Sequence, residues 1–210
     1  MKLEPEATIP FSFAPVLLSK DEHHAAEQVA DHLSACIRSI PADRPVVFVC
    51  VGTDRSTGDS LGPLVGSRLR RYSFSDIFLY GTLDQPVHAM NLSDTLAGIY
   101  QDHHNPFIIG IDACLGQVAH IGSVKLCPGP LKPGAGVNKE LPAVGEMHIT
   151  GIVNVGGFME YFVLQNTRLS LVMDLAELIA KAIYISLINC GRIALFSSTL
   201  YREQASPGSE

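Results

Sequence analysis

The sequence predicts an α/β fold on a mostly parallel sheet, and three observations carry that expectation. Two apolar runs, Val46–Val51 and Phe107–Ile111, have the length and continuity of strands covered on both faces. Segments with apolar residues at helical spacing alternate with them. A late stretch, Leu169–Asn189, keeps helical character without a proline.

Residues 1–20 contain Pro5, Pro10 and Pro15 and read as a flexible, irregular N-terminal extension. Asp21 then suits a helix start, and Ala25, Val29, Leu33, Cys36, Ile37 and Ile40 recur at helical spacing up to Pro41. Pro45 opens the first core strand. The next helix begins near Asp59 or Ser60, with Leu61, Leu64, Val65 and Leu69 in phase and Pro63 in the first turn, where a missing N–H costs little. A strand over Ile77–Gly81, a helix from about Asn91 to His103 and the strand Phe107–Ile111 follow. Beyond Asp112 the pattern predicts short β segments, Ala119–Leu126 being the best. Residues 128–136 are too rich in Pro and Gly for regular structure and form a loop. His148–Val155 suits a strand or a helix start. Residues 21–200 therefore make one domain, followed by a disordered tail over 201–210.

A chain of 210 residues supports one substantial core. With 47% hydrophobic and 17% charged residues, it has a compact composition. A net charge of −6 argues against a nucleic-acid partner, because phosphate neutralisation needs clustered Lys and Arg. The apolar late helix is interrupted by Asp174, Glu177 and Lys181, which argues against a membrane span. Five cysteines without a CxxC pair read as reduced thiols of a cytoplasmic protein. Nothing in the sequence fixes an oligomeric state.

Two aspartates carry the functional signal. Asp59 lies in the turn after the first core strand, and Asp112 follows directly on Ile111. If the two strands are parallel neighbours, both carboxyls emerge at the carboxyl edge of one sheet, where open α/β folds place ligand clefts. Asp59 is either a helix cap, worth about 1 kcal/mol, or a catalytic acid. Asp112 must be hydrogen-bonded, paired or at a cleft mouth, since an unpaired buried carboxylate is costly. Two carboxyls in one cleft would split their pKa values into a base and an acid, or hold a divalent metal between them. The loop Gly52–Gly62 lacks both the GxGxxG spacing and the P-loop ending, and no GxSxG elbow is present. His148, after the Pro/Gly loop, has a place from which it would face the same cleft.

The run Gly52-Thr53-Asp54-Arg55-Ser56-Thr57-Gly58-Asp59-Ser60-Leu61-Gly62-Pro63-Leu64-Val65, with Gly110-Ile111-Asp112-Ala113 and Pro133-Gly134-Ala135-Gly136-Val137, resembles the YyaC-type sporulation protein family of endospore-forming bacteria. That family is distantly similar to the spore germination protease and to hydrogenase maturation endopeptidases. The resemblance implies a three-layer α/β/α, phosphorylase/hydrolase-like fold and a location in the cytoplasm of the developing spore or mother cell. It implies Asp59 and Asp112 as the acids of peptide cleavage, with Gly52, Thr53, Asp54, Gly134 and Gly136 in the loops that hold a protein or peptide substrate. In the hydrogenase endopeptidases an acidic pair and a His-x-x-Gly histidine bind metal, and His148-Ile149-Thr150-Gly151 matches that pattern. This implies Asp59, Asp112 and His148 as ligands for zinc or nickel. Thr53 and Asp54 depart from the Gly-Asn that both relatives carry.

Three functions fit: a sporulation-associated peptidase using the aspartate pair, a non-catalytic member binding a peptide or partner protein in the same cleft, and a metal-binding maturation endopeptidase.

Overall fold

The computed structural model describes residues 13–72, 77–134 and 141–193. Its centre is a six-stranded sheet of β1 (Val16–Ser19), β2 (Val46–Cys50), β3 (Ile77–Tyr80), β4 (Phe107–Gly116), β5 (Ser123–Pro128) and β6 (Met147–Val155), in the order β1-β5-β6-β4-β2-β3. The run β6-β4-β2-β3 is parallel, and β5 is antiparallel to both β6 and β1. The sheet is thus mostly parallel, as the continuous apolar strands predict.

Strand alternation sorts the core into two sides. Val46, Phe48, Cys50, Ile109, Ile111, Met147 and Ile149 point to the side covered by helices α1 (Ala25–Arg38), α2 (Leu61–Leu69) and α5 (Leu169–Asn189). Val47, Val49, Val51 and Ile108 point to the other side, under α3 (Leu92–Asp102) and the segments carrying Leu131 and Val144. The result is a three-layer α/β/α sandwich. Helix α5 buries Val172, Leu175, Ile179, Ile183 and Leu187 along one stripe, each worth about 1.5–3 kcal/mol when fully removed from water.

The structure corrects several expectations. Residues 16–19 are not irregular but pair as the edge strand β1, in register with Ser123–Leu126. Helix α1 starts at Ala25, after His24 in a left-handed conformation (φ 56°), rather than at Asp21. Strand β4 does not end at Ile111 but continues to Gly116, because β6 extends beside it through Val155. Segment 147–155 is a strand, and a short helix, α4 (Glu160–Gln165), follows it. Residues 1–12 of the expected extension and the tail over 201–210 lie outside the described residues. Among the described residues no helix is long and apolar enough to cross a membrane.

Candidate active site

The connection after β2 runs through α2 on one side of the sheet to β3, and the next runs through α3 on the other side to β4. β2 and β4 are neighbours whose flanking crossovers diverge, the point at which open α/β sheets place a ligand crevice at the strands' carboxyl ends. Asp59 comes from the turn after β2, and Asp112 from β4 one residue beyond Ile111, the last residue in register with β2.

The Asp59 turn is built tightly onto the sheet. Gly52 has φ 144°, and a Cβ there would lie 2.0 Å from the Asp59 carbonyl oxygen, so only glycine lets the loop fold back this closely. The Thr53 N–H donates to that carbonyl at 3.1 Å, and the Gly52 N–H donates to the Val87 carbonyl at 2.8 Å. A Cβ on Gly62 would meet the Val51 carbonyl oxygen at 2.1 Å, so α2 starts directly against the end of β2. Residues Gly58–Ser60 form a 3-10 turn, closed by Ser60 N–H to the Thr57 carbonyl at 3.3 Å and Leu61 N–H to the Gly58 carbonyl, with Ser60 N–H also reaching the Ser56 carbonyl at 3.0 Å.

No side chain caps either this turn or α2. The capping explanation for Asp59 therefore finds no hydrogen bond to support it. Its half-buried carboxyl is pushed above the usual range by burial, offset in part by the Ser56 hydroxyl. That hydroxyl is itself buried, faces Asp59, and makes no well-formed hydrogen bond.

Asp112 is half-buried on β4, in register with Thr150 of β6. Its Oδ1 accepts the Ala113 N–H at 2.8 Å, and no cation pairs with it among the described salt bridges. Burial holds its carboxyl well above the ordinary value, the Ala113 N–H draws it back somewhat, and the like charge of Asp59 raises it again. Asp112 therefore keeps its proton longer, and Asp59 ionises first. Cys114 lies two residues along the same side of β4, with the Thr150 hydroxyl against it. Burial pushes its thiol up, so it is not an activated thiolate.

His148 is in register with Gly110 on β4 and Cys127 on β5, and its Nδ1 is 2.8 Å from the Gly129 carbonyl oxygen. Among the described residues no three His, Cys, Asp or Glu side chains gather as a metal site. The donor set Asp59, Asp112 and His148 is thus not assembled for zinc or nickel, and the residues present do not fit that metal centre. Of the expected substrate loop, Gly52 and Thr53 are half-buried beside the Asp59 turn and Asp54 is exposed. Gly134 has φ 75° and lies three residues past Leu131, which packs over Gly110. Gly136 lies outside the described residues.

Sequence reasoning missed Ser56, Thr150 and Leu164. Ser56 and Thr150 are ordinary polar residues whose significance is positional. Leu164 of α4 packs on Gly58, where a Cβ would meet its Cδ2 at 2.8 Å, and this long-range contact has no local signature.

Residues 17–182 match the family described as "Protein of unknown function (DUF1256)". The chain is 54% identical over 169 residues to the uncharacterized protein YyaC of Bacillus subtilis (strain 168), across 80% of this chain and 82% of that one. Among solved structures, the [NiFe] hydrogenase maturation protease HycI from Thermococcus kodakarensis KOD1 aligns with 71% of this chain and 99% of its own, at a TM-score of 0.42 and 15% identity. So distant a likeness has no bearing on activity.

Proposed function

The chain belongs to the DUF1256 family, and we propose that it is a peptidase in which Asp59 and Asp112 together hydrolyse a peptide bond. The observation that carries this reading is two half-buried carboxyls at the carboxyl ends of β2 and β4, both raised in pKa, with neither a cap nor a cation among the described residues to explain them. Two acids with raised pKa at the carboxyl edge of an open α/β sheet are candidates for acid–base work.

In the proposed reaction Asp59, ionised first, takes a proton from a water whose oxygen attacks the peptide carbonyl carbon. Asp112, still protonated, donates to the amide nitrogen as the C–N bond breaks. The proton gained by Asp59 and the one lost by Asp112 leave the pair one proton transfer from its starting state. No metal takes part in this scheme. The spore setting rests on the resemblance of the Gly52–Val65 motif to the YyaC-type family.

The test is incubation of the purified protein with total spore-core protein, followed by identification of new N-termini. The expected result is a discrete set of cuts absent with Asp59→Asn. No cuts by the wild type, or the same cuts by the variant, overturns the reading and leaves a non-catalytic binding role.

A further inference from the structure

Strand β4 outruns its neighbour. Its register with β2 ends at Cys50↔Ile111, while its register with β6 continues to Gly116↔Val155. Asp112–Gly116 is therefore paired on the β6 side alone, and all five residues are half-exposed. The bonds from Phe107 N–H to the Pro45 carbonyl and from Val51 N–H to the Ile111 carbonyl show that odd-numbered residues of β4 face β2. Ala113 is the next of these. Its N–H finds no β2 carbonyl and is held instead by the Asp112 carboxyl. A strand edge left open is a template for another strand, and natural proteins commonly shield such edges.

Beside this edge sits an exposed apolar shelf. Phe158, Tyr161 and Phe162 are 80%, 59% and 56% exposed, and α4 contains no buried residue. It is held by Leu164, which packs on Gly58 and against the core, and by the Asn154 amide, which donates to the Val163 carbonyl at 3.4 Å and to Thr167 Oγ1 at 3.2 Å. Its entry residue Met159 has a left-handed conformation (φ 48°). Gly156 links shelf to edge, since a Cβ there would lie 3.3 Å from Leu115 Cβ and 3.6 Å from Glu160 Oε1. Three exposed aromatic residues on a segment anchored to the Asp59 turn, beside an unpaired strand edge, make the kind of exposed apolar surface that marks an interaction site.

We propose that the Asp112–Gly116 edge of β4, with the Phe158/Tyr161/Phe162 shelf beside it, binds an extended polypeptide segment carrying aromatic or large aliphatic side chains. The backbone of that segment adds to the sheet as a strand, and its side chains on one face lie on the shelf. This rests on the peptidase reading for its purpose, since the segment would be laid across the acid pair, but not for its physics. The selected substrate is thus an unfolded or extended apolar segment, not a folded surface or a charged tail.

The probe is an array of short overlapping casein peptides, presented to the Asp59→Asn protein so that bound peptides persist. Binding is expected to track aromatic and large aliphatic content and to fall about tenfold in Phe162→Ser, the factor equivalent to about 1.4 kcal/mol of lost apolar contact. N-methylation along the best peptide should abolish binding at alternate positions, the period of a strand edge. Loss without alternation, no apolar preference, or unchanged binding by Phe162→Ser overturns the proposal. So does sedimentation showing a dimer that Phe162→Ser dissociates, because a second copy would then cover the shelf. Peptide binding without any wild-type cleavage leaves this inference standing and removes the peptidase reading, and unselective cleavage does the reverse.

Discussion

Val51 donates its N–H to the Ile111 carbonyl at 2.7 Å, and with that bond β2 and β4 part. One residue later β4 carries Asp112, while the other chain turns at Gly52 towards Asp59. The charge of Asp59 reaches Asp112 because β2 stops where it does.

Asp59→Asn and Asp112→Asn are each expected to lower cleavage by about 10²–10⁴-fold, the range lost with a general acid or base. Circular dichroism should be unchanged, since Asn is nearly isosteric and keeps an oxygen for the Ala113 N–H. Wild-type cleavage by either variant removes that residue from the scheme.

Both acids are raised, so the pH profile should be displaced upward from that of ordinary carboxyls. Activity is expected to rise as Asp59 ionises, above its usual value, and to fall at higher pH as Asp112 loses its proton. In Asp112→Asn any residual activity should lack the alkaline fall. An alkaline limb retained by that variant would assign it to another group.

The raised carboxyl of Asp112 also has a cost in stability. A folded state that holds its proton to higher pH than the unfolded chain loses stability as pH rises from the ordinary carboxyl value through the folded one, and stays lower above it. Asp112→Asn is therefore expected to melt at a higher temperature than wild type at neutral pH, with the gain fading in acid. Thermal melts across pH measure it, and an equal or lower melting temperature at neutral pH contradicts the burial of an uncompensated acid.

How much of this was legible in the sequence depends on what fixes each element. Leu169–Asn189 was legible because a long apolar stripe specifies a helix locally. Val46–Cys50 and the start of β4 were legible for the same reason, as runs apolar on both faces. Strand β1 and Asp112–Gly116 were not, because four edge residues beside a proline and the sequence Asp-Ala-Cys-Leu-Gly become strand only through their partners β5 and β6. The two acids were visible by position, but the missing cap on α2 and the ungathered His148 are facts of geometry that spacing does not encode.

Gly52→Ala tests how rigidly the Asp59 turn is held. Gly52 and Gly191 both have positive φ, but a Cβ on Gly52 collides with the Asp59 carbonyl, whereas one on Gly191 meets nothing within 4 Å. Both alanine variants incur backbone strain of about 1–3 kcal/mol. Only Gly52→Ala should also displace Asp59 and abolish cleavage, so urea midpoints and cleavage rates measured together should separate the two. Full activity in Gly52→Ala would mean that the turn adapts.

The last prediction concerns His148, which the His-x-x-Gly pattern suggests as a ligand and which does not gather with the two acids as a metal site among the described residues. Its Nδ1 donates to the Gly129 carbonyl at 2.8 Å, an interaction that fixes the ring and joins β6 to the segment after β5. Because no three ligating side chains gather among the described residues, a chelator is expected to leave cleavage unchanged, and calorimetric titration with zinc or nickel should give no binding that His148→Ala removes. What His148→Ala should change is local: the lost bond, worth about 1 kcal/mol, frees Gly129, whose own N–H donates to the Glu146 carbonyl at 2.8 Å. Amide exchange at Gly129 and Leu131 should accelerate while the β2 and β4 core amides stay protected. A metal-binding signal that vanishes in His148→Ala would restore the histidine as a ligand and move the chemistry from the carboxyl pair to a metal.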